Sequence, residues 1–291
     1  MTPLCLLLPL LGGGTVDVAL VGNPAVVSTG CTTYVDLVLT PSAPTTVVAV
    51  DVILAWDPAK LELVQALPGS GAWLATGFLN DPDGINDDTD DGQALYTLLV
   101  SPANPLALAA ATVVASFEFR ALADGGVGMQ SSAGFFASTD VHGIVPGLPV
   151  TGTLAAPAAI TAQDVPALEI PRLGTPPNPL AFMPGITSGP VIGSTWDPYV
   201  DHSAFFPGAL FDILGITALP SPVDVPTVWG TLLLDLSGPL RLHYRPAGFP
   251  FAVIVPFDCA LIGATAATQA ASFDAIDVLV TNALDVTVGT F

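Results

Sequence analysis

The chain has 291 residues, of which 25 are acidic and 5 are basic, so its formal net charge at pH 7 is −20. Hydrophobic residues make up 51% of it, which excludes a disordered chain, because disorder requires low hydrophobicity. So few cations cannot neutralise a run of phosphates. The charge therefore excludes nucleic-acid binding and argues against a protein held on an anionic membrane surface.

Residues 1–14 are predicted to be the remnant of a secretory signal peptide. An apolar run from Leu4 to Leu11 is followed by three glycines, small residues of the kind found near a cleavage site. The alternative is an edge segment or first strand of the mature domain. We expect a secreted protein, located outside the cell or at its surface.

Two cysteines, Cys31 and Cys259, lie far apart in the sequence, and neither belongs to a CxxC or Cys/His spacing. That pattern gives no indication of a zinc site. A disulfide between them would require Cα atoms within about 7 Å of each other, which a sequence does not show. The expectation is two buried thiols.

Residues 98–117 carry no charge over a length that could cross a bilayer. Pro102, Asn104 and Pro105 interrupt this stretch, and its last third alternates with the period of a strand. We interpret it as a loop followed by a strand, and no integral membrane span is expected.

Apolar and polar residues alternate along several segments of the first half, which predicts half-buried strands of an antiparallel sandwich. Helical periodicity is hard to find anywhere. The residues predicted to face the core are Val35, Leu37 and Leu39, then Val48, Val50, Val52, Leu54 and Trp56, and finally Val113, Ala115, Phe117, Phe119 and Ala121.

Prolines divide the chain into two predicted β-domains. The first covers residues 15–156, a proline-rich linker covers residues 157–172, and the second domain covers residues 173–291. The strands predicted after the linker lie at residues 208–217, 231–236, 240–244, 251–257 and 278–288. The predicted fold class is therefore all-β, with a sandwich followed by a second antiparallel β-domain.

Three segments of the first half resemble cohesin-like domains, the jelly-roll β-sandwiches of cellulosome scaffolds. They are the strand Val35–Leu39, the segment Val47–Leu63 with its aromatic-Asp-Pro turn, and the segment Leu108–Gly125 with Phe-x-Phe-x-Ala and an Asp-Gly turn. The resemblance implies a binding module rather than a catalyst, with a dockerin-type protein module as partner. It also implies a relation to sandwiches that bind polysaccharides.

The second half resembles a tail domain found at the C-terminus of secreted bacterial proteins. The segment that carries this resemblance is Thr281-Asn282-Ala283-Leu284-Asp285, followed by Gly289. The resemblance implies an extracellular location and no particular chemistry.

The densest polar cluster is the segment Asn80–Gly92, called the acidic loop below, in which six aspartates occur within eleven residues. Calcium takes about six to eight oxygen ligands, which short carboxylates on a glycine-containing loop can supply. No glutamate lies between Glu62 and Glu118, so the segment is not an EF-hand. The alternative is a solvated acidic hairpin. The candidate calcium ligands are Asp81, Asp83, Asn86, Asp87, Asp88 and Asp90, and no other cofactor is indicated.

Binding residues are predicted at two further places. Arg241, His243 and Arg245 alternate with apolar residues, so they share one face of a strand, where they could hold a carboxylate or form an ordinary solvated face. Trp73 and Tyr96 are candidates for stacking on sugars, with packing in the core or at its rim as the alternative.

Catalytic motifs are weak throughout the sequence. Gly-x-Ser-x-Gly is absent, and a turn explains the carboxylate–histidine group formed by Asp197, Asp201 and His202. We therefore expect an extracellular, non-catalytic module that associates with a dockerin-type protein in a polysaccharide-handling context. The alternatives are direct carbohydrate binding and a structural role in cell-surface adhesion.

Overall fold

The structure is a computed structural model that describes residues 14–145 and 148–291. Apart from Gly14, the predicted signal-peptide remnant lies outside the described residues. The chain divides into two compact units, called unit 1 and unit 2, and the division falls between Gln163 and Asp164.

Unit 1 is built from short strands and one 3-10 turn, Ile85–Asp87. Its strands are β1 (Val16–Asn23), β2 (Val26–Ser28), β3 (Thr32–Pro41), β4 (Thr45–Ala55), β5 (Leu61–Pro68), β6 (Trp73–Gly77), β7 (Gln93–Val100), β8 (Leu106–Leu108), β9 (Thr112–Ala121), β10 (Gly125–Gln130), β11 (Ser132–Ala133), β12 (Ala137–Ser138), β13 (Asp140–Gly143), β14 (Thr151–Leu154) and β15 (Ala158–Gln163).

Two sheets of unit 1 enclose one apolar core, which makes this unit a β-sandwich and confirms the predicted fold class. The first sheet has the order β14-β1-β3-β9-β5. The second has the order β2-β15-β10-β4-β7-β6, with β8 and β13 also paired to β4. Phe117 packs edge-on against Tyr96 and Trp56 edge-on against Phe119, so aromatic rings from both sheets fill the centre.

Most residues predicted to face this core do so, and two do not. Val48 is half-buried and Val113 is exposed, while the neighbouring Val47 and Val114 are fully buried. Both errors lie at β-bulges, where β4 and β9 each carry one extra residue relative to a partner strand. An extra residue moves the following side chains to the opposite face.

The segment predicted as a linker, residues 157–172, is not a linker in the structure. It contains β15, which pairs with β10 and β2 of unit 1, and a further strand, Leu168–Arg172, which belongs to unit 2. Pro171 is tolerated in this further strand because the strand lies at an edge of its sheet.

Unit 2 contains the remaining strands and a 3-10 turn, Cys259–Leu261. Its strands are β16 (Leu168–Arg172), β17 (Phe182–Met183), β18 (Thr195–Trp196), β19 (Tyr199–Val200), β20 (Phe211–Thr217), β21 (Pro220–Thr227), β22 (Gly230–Leu234), β23 (Leu240–Pro246), β24 (Val253–Ile254), β25 (Thr265–Phe273) and β26 (Val278–Thr287). Its main sheet is antiparallel with the order β16-β26-β25-β20-β23, and three two-stranded ribbons accompany it.

Polar side chains hold unit 2 together along β26. Asn282 Oδ1 accepts the backbone N–H groups of Ala181 and Phe182 at 3.0 and 2.8 Å. Asp285 receives two hydrogen bonds from the Arg172 guanidinium, at 2.8 and 3.1 Å. The motif Thr281–Asp285 therefore has a structural role, because its side chains tie loop and edge strand to the sheet.

Cys31 of unit 1 and Cys259 of unit 2 are both disulfide-bonded, so the expectation of two thiols is wrong.

Within residues 14–145 and 148–291, no helix has the length and apolar character needed to cross a membrane.

Candidate functional site

One side of the eight-stranded sheet of unit 1 points away from the core and carries both polar and small apolar residues. We call this side the outer face. The cross-strand register aligns Asp140, Asp51 and Thr97 in one row, and His142, Ala49 and Leu99 in the next row. Residues directly opposite on neighbouring strands share a face, so these six side chains form one continuous surface.

A cleft of about 360 Å³ opens on the outer face. Its floor is formed by Asp51 of β4, Thr97 of β7 and His142 of β13. One wall is the start of the acidic loop, including Asp81, and the other contains Phe136. The cleft therefore combines hydrogen-bond acceptors with an aromatic rim.

Hydroxyl groups and an imidazole stabilise two carboxylates that face each other across neighbouring strands. Thr97 Oγ1 donates to Asp51 at 2.6 Å, and His142 Nε2 lies 3.6 Å from the same carboxylate. Asp140 accepts hydrogen bonds from Ser138 and from Thr151. Like charges opposite each other destabilise a sheet, so these partners are needed to offset the repulsion.

The Asp51–His142 pair is not arranged as nucleophilic machinery. Its hydroxyl partner is Thr97, which is bonded to the carboxylate, and Ser138 donates to Asp140. In the part of the chain that the structure describes, no hydroxyl is bonded to the imidazole of His142, as activation of a nucleophile would require. The geometry of the cleft is suited to binding hydrogen-bond donors.

A pair of phenylalanines stands beside the cleft. Phe135 and Phe136 are 86% and 67% exposed, and their rings meet edge-to-face with centroids 4.8 Å apart. The Asp83 carboxylate accepts the backbone N–H groups of Phe135, Phe136 and Ala137 at 2.9, 2.6 and 2.7 Å. These bonds, above all the one from Phe135, hold the pKa of Asp83 below its usual range. The acidic loop thus braces the turn that presents both rings.

Much of the acidic loop is bonded to its own backbone. Asp81 accepts the N–H groups of Asp83, Ile85 and Asn86. The Asn86 side chain bonds the backbone of Leu79 and of Leu95.

The other candidate calcium ligands, Asp87, Asp88 and Asp90, are exposed, and Asp88 accepts the N–H of Asp90. Among the described residues, no group of three or more His, Cys, Asp or Glu side chains is placed to hold a metal ion. Calcium binding by this loop stays a prediction.

The aromatic candidates lie away from the outer face. Tyr96 is buried between Phe78 and Phe117, and burial raises the pKa of its hydroxyl. The prediction of a sugar-stacking role is therefore wrong for Tyr96, because neither ring face is accessible. Trp73 is half-buried and packs against the core, and its buried indole N–H has no hydrogen-bond partner among the residues that the structure describes.

The predicted row of Arg241, His243 and Arg245 lies on β23, at an edge of the main sheet of unit 2. His243 lies opposite the buried Leu214 of β20, and each arginine is two residues away from His243 along the strand. The three side chains therefore share one face of the sheet, as predicted. Burial and then the two arginines lower the pKa of His243.

Asp197, Asp201 and His202 do not form a common site. Asp197 accepts hydrogen bonds from Thr187 and Ser188, and Asp201 accepts the N–H of Ser203. His202 instead contacts Asp212, a buried carboxylate that the Ser272 hydroxyl also bonds at 2.6 Å.

Sequence reasoning missed the residues that form the cleft, apart from the start of the acidic loop in its wall. Asp51 is recognisable as the polar residue of an otherwise apolar strand, and two adjacent phenylalanines after a glycine indicate an exposed turn. His142 and Thr97 carry no local signal, since only the pairing of β13, β4 and β7 brings them together.

No protein-family model and no curated protein matches the sequence. Solved structures with a similar fold include cohesins. The third cohesin of ScaC from Acetivibrio cellulolyticus, solved with the ScaB dockerin, is 14% identical, with 50% of this chain and 98% of that chain covered and a TM-score of 0.39. CaCohA2 from Clostridium acetobutylicum is 15% identical, with 52% of this chain and 92% of that chain covered and a TM-score of 0.37.

A longer match is the type II cohesin dyad of the ScaA scaffoldin from Acetivibrio cellulolyticus. It is 13% identical, with 89% of each chain covered and a TM-score of 0.37. This chain is thus similar to cohesin domains. For the single domains, the similarity covers about half of its length.

Proposed function

We propose that this protein is a secreted, non-catalytic binding module that holds a dockerin-type protein module on the outer face of unit 1, in a polysaccharide-handling context. The observation that carries the proposal is the outer face itself. It is a sheet surface with a cleft, and exposed apolar side chains, Leu99 and Phe136 among them, lie beside polar acceptors. Exposed aromatic anchors next to a polar surface are typical of protein interfaces.

The charge of the outer face determines which chemical groups a partner must supply. Covering Asp51 and Asp140 removes two carboxylates from water, which costs free energy unless the partner brings hydrogen-bond donors. Lysine, arginine or hydroxyl side chains would meet this requirement. An apolar strip on the partner would then cover Leu99 and the phenylalanine pair.

Two further features support the proposal. The sequence segments that resemble cohesins lie in unit 1, which contains the outer face. The disulfide-bonded Cys31 and Cys259 are consistent with an oxidising compartment outside the cytosol, since disulfides persist there.

The test is binding of the full chain to a panel of dockerin-type modules, measured by isothermal titration calorimetry. Leu99→Arg places a charge on the outer face, and Tyr34→Arg does the same on the outward side of the other sheet. The two positions are matched, with exposed fractions of 41% and 38%. We expect Leu99→Arg to abolish binding and Tyr34→Arg to leave it unchanged.

Removal of the aromatic anchor gives a graded readout. Phe136→Ala is expected to weaken binding by roughly 30-fold, the effect of losing one interface hot spot worth about 2 kcal/mol. If none of the modules binds the unmodified chain, the proposed partner class is wrong. If Tyr34→Arg weakens binding as much as Leu99→Arg does, the outer face is not the binding surface.

Direct carbohydrate binding is the second candidate, favoured by one feature of the cleft. Asp51, Thr97 and His142 offer polar groups for sugar hydroxyls beside the exposed ring of Phe136. Co-sedimentation with cellulose and chitin, together with a glycan array, tests this function. Retention that Phe136→Ala removes would support it over the protein partner, provided that no dockerin-type module binds.

A further inference from the structure

β23 is an open edge of unit 2. It ends the five-stranded sheet, and within the described residues no strand pairs with its outward side. Every residue of β23 is exposed except His243, which is half-buried. An edge strand of this kind presents unpaired backbone N–H and C=O groups to solvent, which makes it a template for one more strand.

The arginines of β23 differ from the other cations of the chain. Lys60, Arg120 and Arg172 each form an ion pair, at 3.8, 2.8 and 2.8 Å. Arg241 and Arg245 form none with any residue that the structure describes. In a chain with 25 acidic and 5 basic residues, two cations without a carboxylate partner on one short strand form a local positive site.

The carboxylate nearest in register does not neutralise this site. Asp212 lies directly opposite Arg245 on the neighbouring strand β20. Its oxygens, however, accept hydrogen bonds from His202, from the Ser272 hydroxyl and from the backbone N–H of Gly248. Asp212 is fully buried by these partners, and Arg245 remains exposed.

The other face of β23 is apolar. Leu240 and Leu242 alternate with the arginines and border a hollow of about 260 Å³, whose lining is almost entirely apolar and includes Leu236 and Phe273. An added strand would therefore meet positive charge on one face and an apolar surface on the other.

We propose that β23 receives an extended acidic segment of a partner protein as an additional strand of the sheet. Residues opposite each other on paired strands share a face, so carboxylates of the partner lie over Arg241 and Arg245 and its apolar side chains lie over the hollow. The two arginines are four residues apart, about 13 Å along a strand. The matching segment has acidic residues at i and i+4 and apolar residues at i+1 and i+3.

A second copy of this chain is a poor occupant of the same edge. Antiparallel pairing of β23 with itself about His243 places Arg241 of one copy opposite Arg245 of the other, and like charges in that position are destabilising. Charge complementarity therefore selects an acidic partner. The inference concerns unit 2 and does not depend on the proposed function of unit 1.

The test uses the full chain and a dye-labelled peptide, Gly-Glu-Val-Thr-Val-Glu-Gly, with binding measured by fluorescence anisotropy at low ionic strength. A control peptide carries lysine in place of both glutamates. A second control peptide is N-methylated at two adjacent central residues. Successive backbone N–H groups of a strand point to opposite sides, so in either register one of the two blocked groups faces β23. We expect the acidic peptide to bind at least about tenfold more tightly than either control.

Variants of the chain locate the contact. Arg241→Glu combined with Arg245→Glu is expected to lose the acidic peptide and to gain the lysine peptide, whereas Arg120→Glu, an exposed arginine of unit 1, leaves both affinities unchanged. Arg241→Gln with Arg245→Gln serves as a milder second variant, for which at least about a fivefold loss is expected.

Three results would overturn the inference. The first is no binding of the acidic peptide to the unmodified chain. The second is equal binding of the N-methylated peptide, since that would show attraction by charge without an added strand. The third is unchanged binding in both β23 variants.

Discussion

Replacing Asn282 by alanine should destabilise unit 2 strongly. The Asn282 side chain is fully buried, and its amide makes four hydrogen bonds. Two of these satisfy the backbone N–H groups of Ala181 and Phe182, both buried, and the other two reach the carbonyls of Phe182 and Ala283. Asn282→Ala removes all four bonds at a position that is closed to bulk water in the folded chain.

The magnitude follows from the donors that lose their acceptor. Each buried N–H left without a partner costs about 1 to 3 kcal/mol, so the two together cost about 4 kcal/mol. For a unit of this length, that loss corresponds to a drop of roughly 15 °C in melting temperature. It is also a large part of the total stability of an ordinary domain.

Urea unfolding of the full chain, followed by tryptophan fluorescence, measures this loss, since Trp196 and Trp229 report on unit 2. Thr265→Ala is the matched control, because Thr265 is exposed at the start of β25 in the same sheet. We expect less than about 0.5 kcal/mol of change for the control. A loss below about 1 kcal/mol for Asn282→Ala would refute the reasoning, since it would show that the N–H groups find other partners.

Three other outcomes are expected. Phe117→Ala should cost unit 1 about 3 to 5 kcal/mol in urea unfolding, because the ring is fully buried; a cost under about 1 kcal/mol would contradict the described core. The pKa of Asp83 is lowered in the folded chain, so its bonds to the Phe135 turn should persist above about pH 4 and be lost as pH falls through that lowered value. Amide NMR of this turn between pH 7 and pH 3 checks this, and Asp83→Asn should remove the pH dependence. Because the pKa of His243 is also lowered, the neutral imidazole is favoured in the fold, and its contribution should decline as pH falls below the unfolded value of 6.5. An NMR titration should find a midpoint under 6.5 that rises when Arg241 and Arg245 are changed to glutamine; an unchanged midpoint would exclude the arginines as a cause.

The strands whose side chains alternate cleanly could be predicted from the sequence. Val35, Leu37 and Leu39 all face the core because β3 has a regular alternation there. β-Bulges limit the prediction of buried faces from alternation, because one inserted residue reverses the alternation without any change in composition. Val48 and Val113 were assigned to the wrong face for that reason.

One central strand of unit 2 escaped prediction altogether. β25 contains mainly alanine, threonine and serine, which give no apolar alternation, and alanine, the commonest of them, is depleted in strands. Most of the strand is nevertheless buried. Its polar side chains, such as Gln269, can lie inside the fold because they form hydrogen bonds with neighbouring backbone groups. A pattern of hydrophobicity does not reveal a strand that is held by hydrogen bonds.

The candidate site was predictable only in part. The acidic loop was recognised as unusual, but a sequence does not show whether a carboxylate faces solvent, a cation or a backbone N–H. The structure shows that Asp81 and Asp83 are bonded to backbone N–H groups. The floor of the cleft depends on the long-range pairing of β4, β7 and β13, which local patterns do not encode.

Hydrogen–deuterium exchange of the full chain, with and without a saturating protein partner, tests the central claim most directly. If the outer face binds the partner, exchange should slow in β4, β7, β13 and the Phe135–Phe136 turn, and remain unchanged in β1, β3 and β9. Slower exchange confined to the five-stranded sheet, or to unit 2, would contradict the assignment of the outer face as the binding surface.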